Sequence, residues 1–436
     1  MSLPPHFSVD GGELKISGVK LMDLVQKYGT PLYVISADRV REKYERLLSA
    51  TKKHWKSVLI CYAYKANPTL ALLKVLRDVG AGAEVVSSGE LFAAKLVGVD
   101  PEKIVFNGVS KSPFEIEDAV SSHVKLINVE NIGELDLIDE ASRKFGIKAS
   151  IGVRVNLDVP AETHKYISTG MKIHKFGLDV KNAYNAYKLA LEKSNIEVKG
   201  IHMHIGSQIL NSKPFIKAAE KLVDFSRKLS EKLGLKLSLI DLGGGLGIPY
   251  KESDKVLTPE DYCESVFPVI INAIGHVFSE DSTIILEPGR YLVGDAGVLL
   301  TRINYVKELG GIKWVLVDAG MNDLIRPALY GAVHRIIPID KVEFEYAEKC
   351  NIAGPICESS DVFAEKYLLP EVKPGDVLAI LDAGAYGISM SSQYNCRPRA
   401  AVVMIDEGSI KLVRRRETYE DIFLCDIIGK NNSKLS

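Results

Sequence analysis

The sequence lacks the features that direct a protein to a membrane, a nucleic acid or an export pathway. Its 55 lysines and arginines are balanced by 56 aspartates and glutamates, so no polybasic surface for nucleic acid or anionic lipid is expected. No apolar run approaches the length needed to span a bilayer. The N-terminal stretch MSLPPHFSVDGG has neither the basic nor the apolar region of an export signal. We therefore expect no nucleic-acid partner, no membrane association and no export.

Cysteines are few and scattered. The six of them stand at positions 61, 263, 350, 357, 396 and 425, and no two form a CxxC pair. This spacing fits a reducing compartment better than a disulfide framework, so a cytoplasmic location is predicted. Apolar residues, by contrast, make up 46% of the chain and charged residues 25%, as in an ordinary globular protein.

Short apolar runs alternate with amphipathic stretches of helical spacing from residue 37 to residue 290. Eight such runs are strand candidates, at 58–64, 82–87, 103–108, 125–130, 150–156, 198–205, 237–243 and 283–289. Strand alternating with helix predicts parallel βαβ units. Eight units in about 250 residues match a (β/α)8 barrel. A doubly wound open sheet is the alternative, and it needs a reversal of strand order that sequence does not reveal.

The pattern changes after Arg290. Strand-like runs such as KWVLVDA and DVLAILDAG are separated by Gly, Pro and Asp, and helical periodicity is scarce. Residues 291–436 are therefore predicted to form an antiparallel β domain. Residues 1–36 have the same texture, with a Gly-Gly hairpin signal in FSVDGGELKISG, and we expect them to join that domain. The predicted fold class is α/β plus all-β.

Ionisable residues and glycines collect at the ends of the predicted barrel strands, where barrels of this type have their active sites. The first of them is Lys65 in CYAYKANP, which is either half of an ion pair or a reactive amine. Burial would lower the pKa of this lysine, so that the neutral amine needed for a Schiff base becomes accessible near pH 7. The other strand ends carry Glu84, Asn107, Arg154, the run His204 to Ser207, the glycines of LGGGLG, and EPGR.

The glycines after the seventh strand predict a phosphate site. Adjacent glycines let backbone N–H groups converge on an anion, and barrels often bind phosphate at the loops after strands seven and eight. A glycine run alone is more often a turn. Here Ser207 follows strand six and Arg290 follows strand eight, so we interpret the three loops as one site.

Glu287 and His204 each have two interpretations. Glu287 is either half of a structural ion pair or the carboxylate that binds a protonated ring nitrogen. His204 is either a satisfied core histidine or part of the site. His202 and His204 also have the i, i+2 spacing of a zinc pair on one strand face. No carboxylate or third histidine stands nearby to complete the set, so no metal is expected. Lysine, phosphate site, ring partner and carboxylate together indicate pyridoxal 5'-phosphate.

Seven segments between residues 62 and 400 resemble the hallmark segments of the diaminopimelate decarboxylases, a family of the alanine-racemase-like class of pyridoxal-phosphate enzymes. They are YAYKANP, HMHIGSQ, DLGGGLGI, EPGRYLV, DAGMNDLIRPALYGAVH, GPICESSD and DAGAYGISMSSQYNCRPRA. The resemblance implies an N-terminal (β/α)8 barrel, a C-terminal β-sandwich and a head-to-tail homodimer with shared active sites. It also implies decarboxylation of meso-2,6-diaminopimelate to L-lysine, the last step of lysine biosynthesis.

The resemblance assigns cofactor contacts to individual residues. Lys65 would bind the cofactor covalently, and His204 would stack on its ring. Glu287 would pair with the ring nitrogen and keep it protonated, which favours decarboxylation; alanine racemases have an arginine there. Glu84, where relatives commonly have Asp, and Arg154, for which a surface ion pair is the alternative, would lie near the ring. The phosphate would be held by Ser207, Gly243, Gly244, Gly245 and the EPGR backbone of Glu287, Pro288, Gly289 and Arg290.

The resemblance also assigns substrate contacts. Arg290, Arg326 and Tyr330 would clamp the carboxylate that is retained, because the planar guanidinium meets a carboxylate bidentately. Tyr386 would contact both cofactor and substrate. Two residues of CESSD would enter from the partner subunit, namely Cys357 to protonate the carbanion and Glu358 to receive the distal ammonium. Without the resemblance, Cys357 is interpreted as an ordinary small buried residue.

Two other functions are considered. An ornithine or arginine decarboxylase of the same fold would share Lys65, His204 and Glu287, but such enzymes typically have Asp after the cysteine and lack RPALY. A non-catalytic, decarboxylase-like regulator should have lost Lys65, the glycine loop or Cys357, and this sequence retains all three.

Overall fold

The computed structural model describes residues 3–160 and 175–427. Two compact units are present. The first, which we call the β unit, comprises Met1–Val40, Tyr250–Asp254 and Val293–Ser436, and the second, the barrel unit, comprises Arg41–Pro249 and Lys255–Leu292. Among the described residues, no helix combines the length and the apolar character that crossing a membrane requires.

The N-terminal segment opens with a hairpin. Strands β1 (Phe7–Asp10) and β2 (Glu13–Ile16) pair antiparallel around Gly11 and Gly12. Both glycines have positive φ, 58° and 81°, as a tight turn of this hand requires, so the predicted hairpin is confirmed. The segment continues with β3 (Val19–Lys20), α1 (Leu21–Tyr28) and β4 (Leu32–Ser36), of which β3 completes a three-stranded sheet.

The next strands of the chain build a closed barrel. They are β5 (Val58–Ala63), β6 (Gly82–Val85), β7 (Ile104–Phe106), β8 (Leu126–Val129), β9 (Ala149–Asn156), β10 (Leu178–Asp179), β11 (Ile196–His202), β12 (Leu237–Asp241) and β13 (Phe278–Leu286). Eight of them are parallel neighbours in the order β9-β11-β12-β13-β5-β6-β7-β8, and β8 pairs with β9 to close the ring. The short β10 pairs with β9 alone. The predicted barrel is confirmed, and the open sheet is excluded.

Helices precede, connect and follow the barrel strands, and several of them begin at capping residues that are recognisable in the sequence. They are α2 (Ala37–Lys52), α3 (Leu70–Asp78), α4 (Ser88–Val97), α5 (Pro113–Ser121), α6 (Glu134–Phe145), α7 (Val180–Leu191), α8 (Lys213–Leu233), α9 (Pro259–Ile271) and α10 (Arg290–Val293). Ser87 caps α4, and Ser112 forms a capping box with Glu115 on α5. Helix α8 buries Phe215, Leu222 and Leu229 at heptad spacing, which fixes the face that packs on the barrel.

The barrel interior is apolar in one layer and polar in another. Cys61, Val105, Leu126, Leu239 and Ile285 form an apolar cluster inside it. Buried polar residues stand at or just after the C-terminal ends of the strands, and they are Glu84, Asn107, Asn128, His202, Asp241 and Glu287. The closed sheet therefore brings to one end of the barrel side chains that are far apart in sequence.

The remainder of the chain is rich in strands. It contains β14 (Gly297–Leu309), β15 (Ile312–Val317), α11 (Arg326–Tyr330), β16 (Ile336–Pro338), β17 (Glu348–Ala353), β18 (Val362–Leu369), β19 (Val377–Ile380), β20 (Ala401–Asp406), β21 (Ser409–Arg414) and α12 (Tyr419–Ile422). The sheet order is β18-β17-β15-β14-β4-β20-β21, with β19 bridging β14 and β16. Most pairs are antiparallel, as predicted, but β4 with β20 and β15 with β17 are parallel. The predicted second, antiparallel-rich domain is confirmed as a mixed sheet.

Candidate active site

Lys65 lies just beyond the first barrel strand, in a single 3₁₀ turn that follows the end of β5 at Ala63. Its Nζ is 2.5 Å from Oε2 of Glu84, on the neighbouring strand β6. The side chain of Glu84 is 1% exposed, whereas that of Lys65 is 38% exposed. The expectation of a buried lysine is therefore wrong. The ion pair is present, and the amine is also accessible to a ligand.

A buried amide connects Glu84 to a second carboxylate. Nδ2 of Asn107 donates to Oε1 of Glu84 at 3.0 Å and to Oε1 of Glu287 at 2.6 Å. Nδ2 of Asn128 donates to Oδ1 of Asn107 at 2.8 Å. Four side chains from four strand ends thus form one hydrogen-bonded group.

Glu287 has two further neighbours, His202 and Asp241. Nε2 of His202 is 3.2 Å from Oε2 of Glu287. Burial opposes ionisation of Glu287, but His202 and Lys65 outweigh it and hold the pKa of this carboxyl well below its usual range. Burial and then the charge of Glu287 raise the pKa of Asp241 well above its usual range. Adjacent buried carboxyls do not ionise together, so the proton stays on Asp241 and Glu287 is the carboxylate.

The expectation that no carboxylate stands near His202 is wrong. Barrel closure places Asp241 and Glu287 beside His202, and one ligand atom from each of the three lies within 4.8 Å of the others. These residues stand on adjacent strands and are separated by dozens of positions in the chain, so no local spacing could show the cluster.

His204 lies outside the strand that the sequence predicted for it. Strand β11 ends at His202, so strand alternation does not set the direction of His204. Its Nδ1 accepts the backbone N–H of Gly244 at 3.1 Å, which leaves the ring proton of the neutral tautomer on Nε2. Burial, and then the charges of Arg154 and Lys65, lower the pKa of His204 well below its usual range. The ring is therefore neutral, which suits it to stacking.

The three predicted phosphate loops touch one another through their backbones. A Cβ added to Gly243 would lie 2.4 Å from the carbonyl oxygen of Met203, and one added to Gly244 would lie 2.2 Å from that of Glu287. Gly245 would meet the oxygen of Gly206 at 2.8 Å. Only glycine allows this approach, so the loops after β11, β12 and β13 form one backbone cradle.

The EPGR segment joins the cradle to the first strand. The N–H of Ala63 donates to the carbonyl oxygen of Pro288 at 3.2 Å, and a Cβ on Gly289 would lie 3.1 Å from that of Ala66. Nη2 and Nε of Arg290 are 3.1 and 3.3 Å from Oγ of Ser207. The structure therefore brings Ser207, the glycines and EPGR together close to the Lys65 turn.

Arg154 is buried, so the alternative of a surface ion pair is wrong. Its Nη1 donates to Oε1 of Glu130 at 2.9 Å, and its guanidinium lies 4.8 Å from the ring centroid of Phe176. Burial would raise the pKa of Glu130, but the charges of Arg154 and Lys111 outweigh it and the pKa is lowered. The arginine is thus held by an ionised, buried partner.

Five further residues that were predicted for the site belong to the β unit. Two of them, Arg326 and Tyr330, are the first and last residues of helix α11. Nη1 of Arg326 is 2.8 Å from Nε2 of His334, and its guanidinium lies 4.4 Å from the ring centroid of Tyr250. Tyr386 has a φ of +57°, a conformation uncommon for residues other than glycine.

Cys357 is exposed, so the interpretation as an ordinary buried residue is wrong. Its backbone N–H donates to Oδ1 of Asn395 at 2.7 Å. The neighbouring Glu358 is also exposed, and one of its oxygens accepts the hydroxyl of Tyr394 at 3.3 Å. Both side chains are accessible from outside their own chain.

Several of the buried polar residues at this end of the barrel were not predicted from the sequence. Asn128 lies inside the predicted strand KLINVE, two residues before its end, so a selection of strand ends did not include it. Asp241 lies two residues before the glycine run, inside the predicted strand 237–243, and was not selected as a strand end. The pairing of Glu130 with Arg154 left no local signal.

Comparison with known proteins agrees with this geometry. Residues 38–294 match the family described as "Pyridoxal-dependent decarboxylase, pyridoxal binding domain". The closed barrel, the accessible lysine and the glycine cradle, together with this match, define a pyridoxal-dependent decarboxylase. The predicted cofactor, pyridoxal phosphate, is thereby confirmed.

Individual relatives narrow the class. The diaminopimelate decarboxylase of Aquifex aeolicus is 46% identical over 418 residues, which is 96% of each chain. That of Methanocaldococcus jannaschii is 44% identical over 427 residues, again 96% of each chain. A crystal structure of the M. jannaschii enzyme in complex with L-lysine superposes with a TM-score of 0.92 at 42% identity, covering 97% of this chain and 98% of that one. The chain belongs to the diaminopimelate decarboxylase family.

Proposed function

We propose that the protein removes CO2 from meso-2,6-diaminopimelate to give L-lysine, with pyridoxal phosphate as cofactor. The observation that carries the proposal is the accessible amine of Lys65, held by Glu84 at the same end of the barrel as the ionised, buried Glu287. A carbonyl cofactor needs the amine, and a protonated ring nitrogen needs the carboxylate.

The barrel residues fit this cofactor. The glycine cradle has no room for side chains, so a phosphate could approach its backbone beside Ser207 and Arg290. Lys65 would bind the aldehyde carbon covalently, and the neutral ring of His204 would stack on the pyridine. Glu84 and Arg154 would lie near the ring.

Glu287 would hold a proton on the ring nitrogen. When bound, the protonated ring withdraws electrons from the bond that releases CO2. The carboxyl of Glu287 stays ionised because His202 and Lys65 lower its pKa and because Asp241 takes the proton that the two carboxyls share. The protein would thus keep one proton on the ring nitrogen.

The substrate would be recognised at both ends. Arg290, Arg326 and Tyr330 would each contact the carboxylate that is retained, since a guanidinium fork matches a carboxylate. Glu358 would bind the distal ammonium, and Tyr386 would touch substrate and cofactor. As the carbon–carbon bond to the departing CO2 breaks, the carbon left behind would take a proton from the thiol of Cys357.

We infer that Cys357 and Glu358 serve the site of a second copy of the chain in a homodimer. Their exposure supports this inference, because a proton donor that is open at the surface of one chain is available to another. We also infer a cytoplasmic location, supported by the fact that all six cysteines are free thiols.

A substrate panel tests the function. The purified protein is supplied with pyridoxal phosphate and incubated with meso-diaminopimelate, ornithine, arginine or lysine, and CO2 release is measured. We expect release from meso-diaminopimelate to be the fastest; faster release from ornithine would overturn the substrate assignment. A visible absorption band of bound cofactor, absent from a non-catalytic regulator, is recorded on the same samples.

A further inference from the structure

One amide nitrogen donates to two carboxylates in the barrel. Nδ2 of Asn107 lies 3.0 Å from Oε1 of Glu84 and 2.6 Å from Oε1 of Glu287, and all three side chains are buried. A primary amide has two N–H groups, so it can serve both acceptors at once. The proposed partner of the reactive amine and the proposed partner of the ring nitrogen are thus tied to the same atom.

The position of Asn107 is fixed from both sides. Its backbone N–H donates to the carbonyl oxygen of Val85 at 2.8 Å, which anchors it to the neighbouring strand. Its Oδ1 accepts Nδ2 of Asn128 at 2.8 Å. A rotated amide would turn its oxygen towards two carboxylates and its nitrogen towards the donor of Asn128. The orientation that donates to the acids is therefore the one that the surroundings select.

A neutral donor between two acids has a distinct electrostatic effect. Two buried carboxylates in mutual reach repel each other, and one of them ordinarily takes up a proton. Glu84 is paired with Lys65, and Nε2 of His202 lies 3.2 Å from Oε2 of Glu287, while Asn107 adds a hydrogen bond to each carboxylate without adding charge. An aspartate at this place, of almost the same shape, would supply a third negative charge instead.

We propose that Asn107 is a positioning residue that sets the spacing of Glu84 and Glu287, and through it the placement of the cofactor ring between Lys65 and Glu287. The proposal rests on the proposed function, in which these two acids flank the ring. Asn107 itself touches no reacting atom in this scheme. Asn128 acts one step further out, by holding the amide of Asn107 in its donating orientation.

The test uses three variants that differ in how many donors they retain. Asn107→Leu has none, Asn107→Ser has one, and Asn107→Asp has one only when it is protonated. Asn131→Ala, in the exposed loop after the next strand, is the matched control. For each protein, the dissociation constant of pyridoxal phosphate is measured from visible absorbance between pH 6 and pH 9, and thermal unfolding of the cofactor-free form is recorded.

We expect Asn107→Leu to weaken cofactor binding by about tenfold to a hundredfold, as the loss of one to two charge-assisted hydrogen bonds implies. Asn107→Ser should fall between Leu and wild type. Asn107→Asp should bind weakly at high pH and recover as the pH falls, because protonation removes the third charge and restores a donor. A purely structural residue would lower the unfolding temperature without this pH dependence.

The results distinguish failure of the Asn107 proposal from failure of the proposed function. Binding by Asn107→Leu and Asn107→Ser within twofold of wild type, with no pH dependence in Asn107→Asp, overturns the proposal. If Asn107→Leu does not fold, Asn107→Ser and Asn107→Asp decide by the same criteria. Failure of the wild-type protein to bind pyridoxal phosphate would instead contradict the proposed function.

Discussion

Arg326 and His334 share a hydrogen bond whose direction is fixed by a third group. Nη1 of Arg326 is 2.8 Å from Nε2 of His334, and Nδ1 of the same ring is 2.8 Å from the carbonyl oxygen of Leu381. A guanidinium only donates and a carbonyl only accepts. His334 is therefore a neutral imidazole that carries its proton on Nδ1 and offers Nε2 to the arginine.

This relationship predicts that His334 supports substrate binding through Arg326. In His334→Ala the guanidinium loses this acceptor, which helps to fix its direction. We expect the KM for meso-diaminopimelate to rise about tenfold while kcat changes less than threefold, the pattern of lost ground-state binding. The free energy of unfolding should fall by about 1–3 kcal/mol, because a buried donor is left without its acceptor.

Steady-state kinetics and urea unfolding measure both effects. Tyr250→Phe is the control, since it keeps the ring that lies 4.4 Å from the guanidinium and should leave KM near the wild-type value. A KM in His334→Ala equal to that of wild type would show that Arg326 does not need this acceptor.

The raised pKa of Glu90 predicts that the stability of the folded state depends on pH. Burial, and then the charge of Glu84, raise its pKa from 4.5 to about 7, although the N–H of Val86 partly opposes the shift. Between these values the folded state holds a proton that the unfolded chain releases. The contribution of Glu90 therefore makes folding less favourable as the pH rises from about 4.5 to about 7, by up to about 3 kcal/mol.

Glu90→Gln should remove this contribution, so the variant should be more stable than wild type at pH 8 and should lose the advantage at pH 5. Urea unfolding of the cofactor-free protein at several pH values measures the difference. Glu140→Gln, on the exposed side of α6, serves as the control and should show no such crossover. A stability difference between Glu90→Gln and wild type that is constant over pH would refute the assignment.

The parts of the site that are continuous in sequence could be predicted, and the parts made by barrel closure could not. Lys65 and the glycine run follow strands whose apolar pattern is local, so their place at the strand ends was readable. The contact of His202 with Glu287 depends on the strand order β11-β12-β13, which no local pattern contains. The exposure of Lys65 also depends on how tightly the neighbouring loops pack.

The same distinction holds in the β unit. The Gly11-Gly12 hairpin is local, and it was predicted. The parallel pairing of β4 with β20 joins residues 32–36 to residues 401–405, and alternation of apolar side chains is the same for a parallel or an antiparallel neighbour. The alternation of apolar side chains therefore could not predict the direction of the neighbouring strand.

The glycine cradle predicts a substitution that separates phosphate binding from ring binding. In Gly244→Ala the new Cβ would lie 2.2 Å from the carbonyl oxygen of Glu287, and both sides of this contact are backbone. The loops must separate, so we expect a loss of about 1–3 kcal/mol in stability. The preference for pyridoxal phosphate over pyridoxal should shrink, because the backbone of the cradle, which would lie against the phosphate, is displaced.

Binding of both compounds is measured by absorbance, together with thermal unfolding. Gly89→Ala is the control, since it lies in helix α4 and its Cβ would meet nothing nearer than 3.7 Å. It should be neutral or stabilising by up to about 1 kcal/mol. An unchanged preference for the phosphorylated compound in Gly244→Ala would place the phosphate elsewhere.

Cys357 and Cys396 provide a matched pair of exposed cysteines near Asn395. If Cys357 donates the proton, Cys357→Ala should keep the visible absorption band of bound cofactor and lower kcat by about a hundredfold or more, the usual range for a lost general acid. Cys396→Ala should retain the wild-type rate. Cofactor absorbance and the rate of L-lysine formation are recorded on both variants. Equal rates for the two would remove the proton-donor role.

Mixing two inactive variants tests whether Cys357 acts on the partner subunit. Lys65→Ala lacks the amine that binds the cofactor, and Cys357→Ala lacks the proton donor. In a dimer with shared sites, a mixed pair of chains has one site that carries both defects and one site that carries neither. Random reassociation of equal amounts makes half of the dimers mixed, so activity should recover to about a quarter of the wild-type level. If each site used only residues of its own chain, every site in the mixture would be defective and activity would stay at the level of the single variants. Size-exclusion chromatography before and after mixing shows that the chains have exchanged, and the recovered rate then decides from which subunit the proton comes.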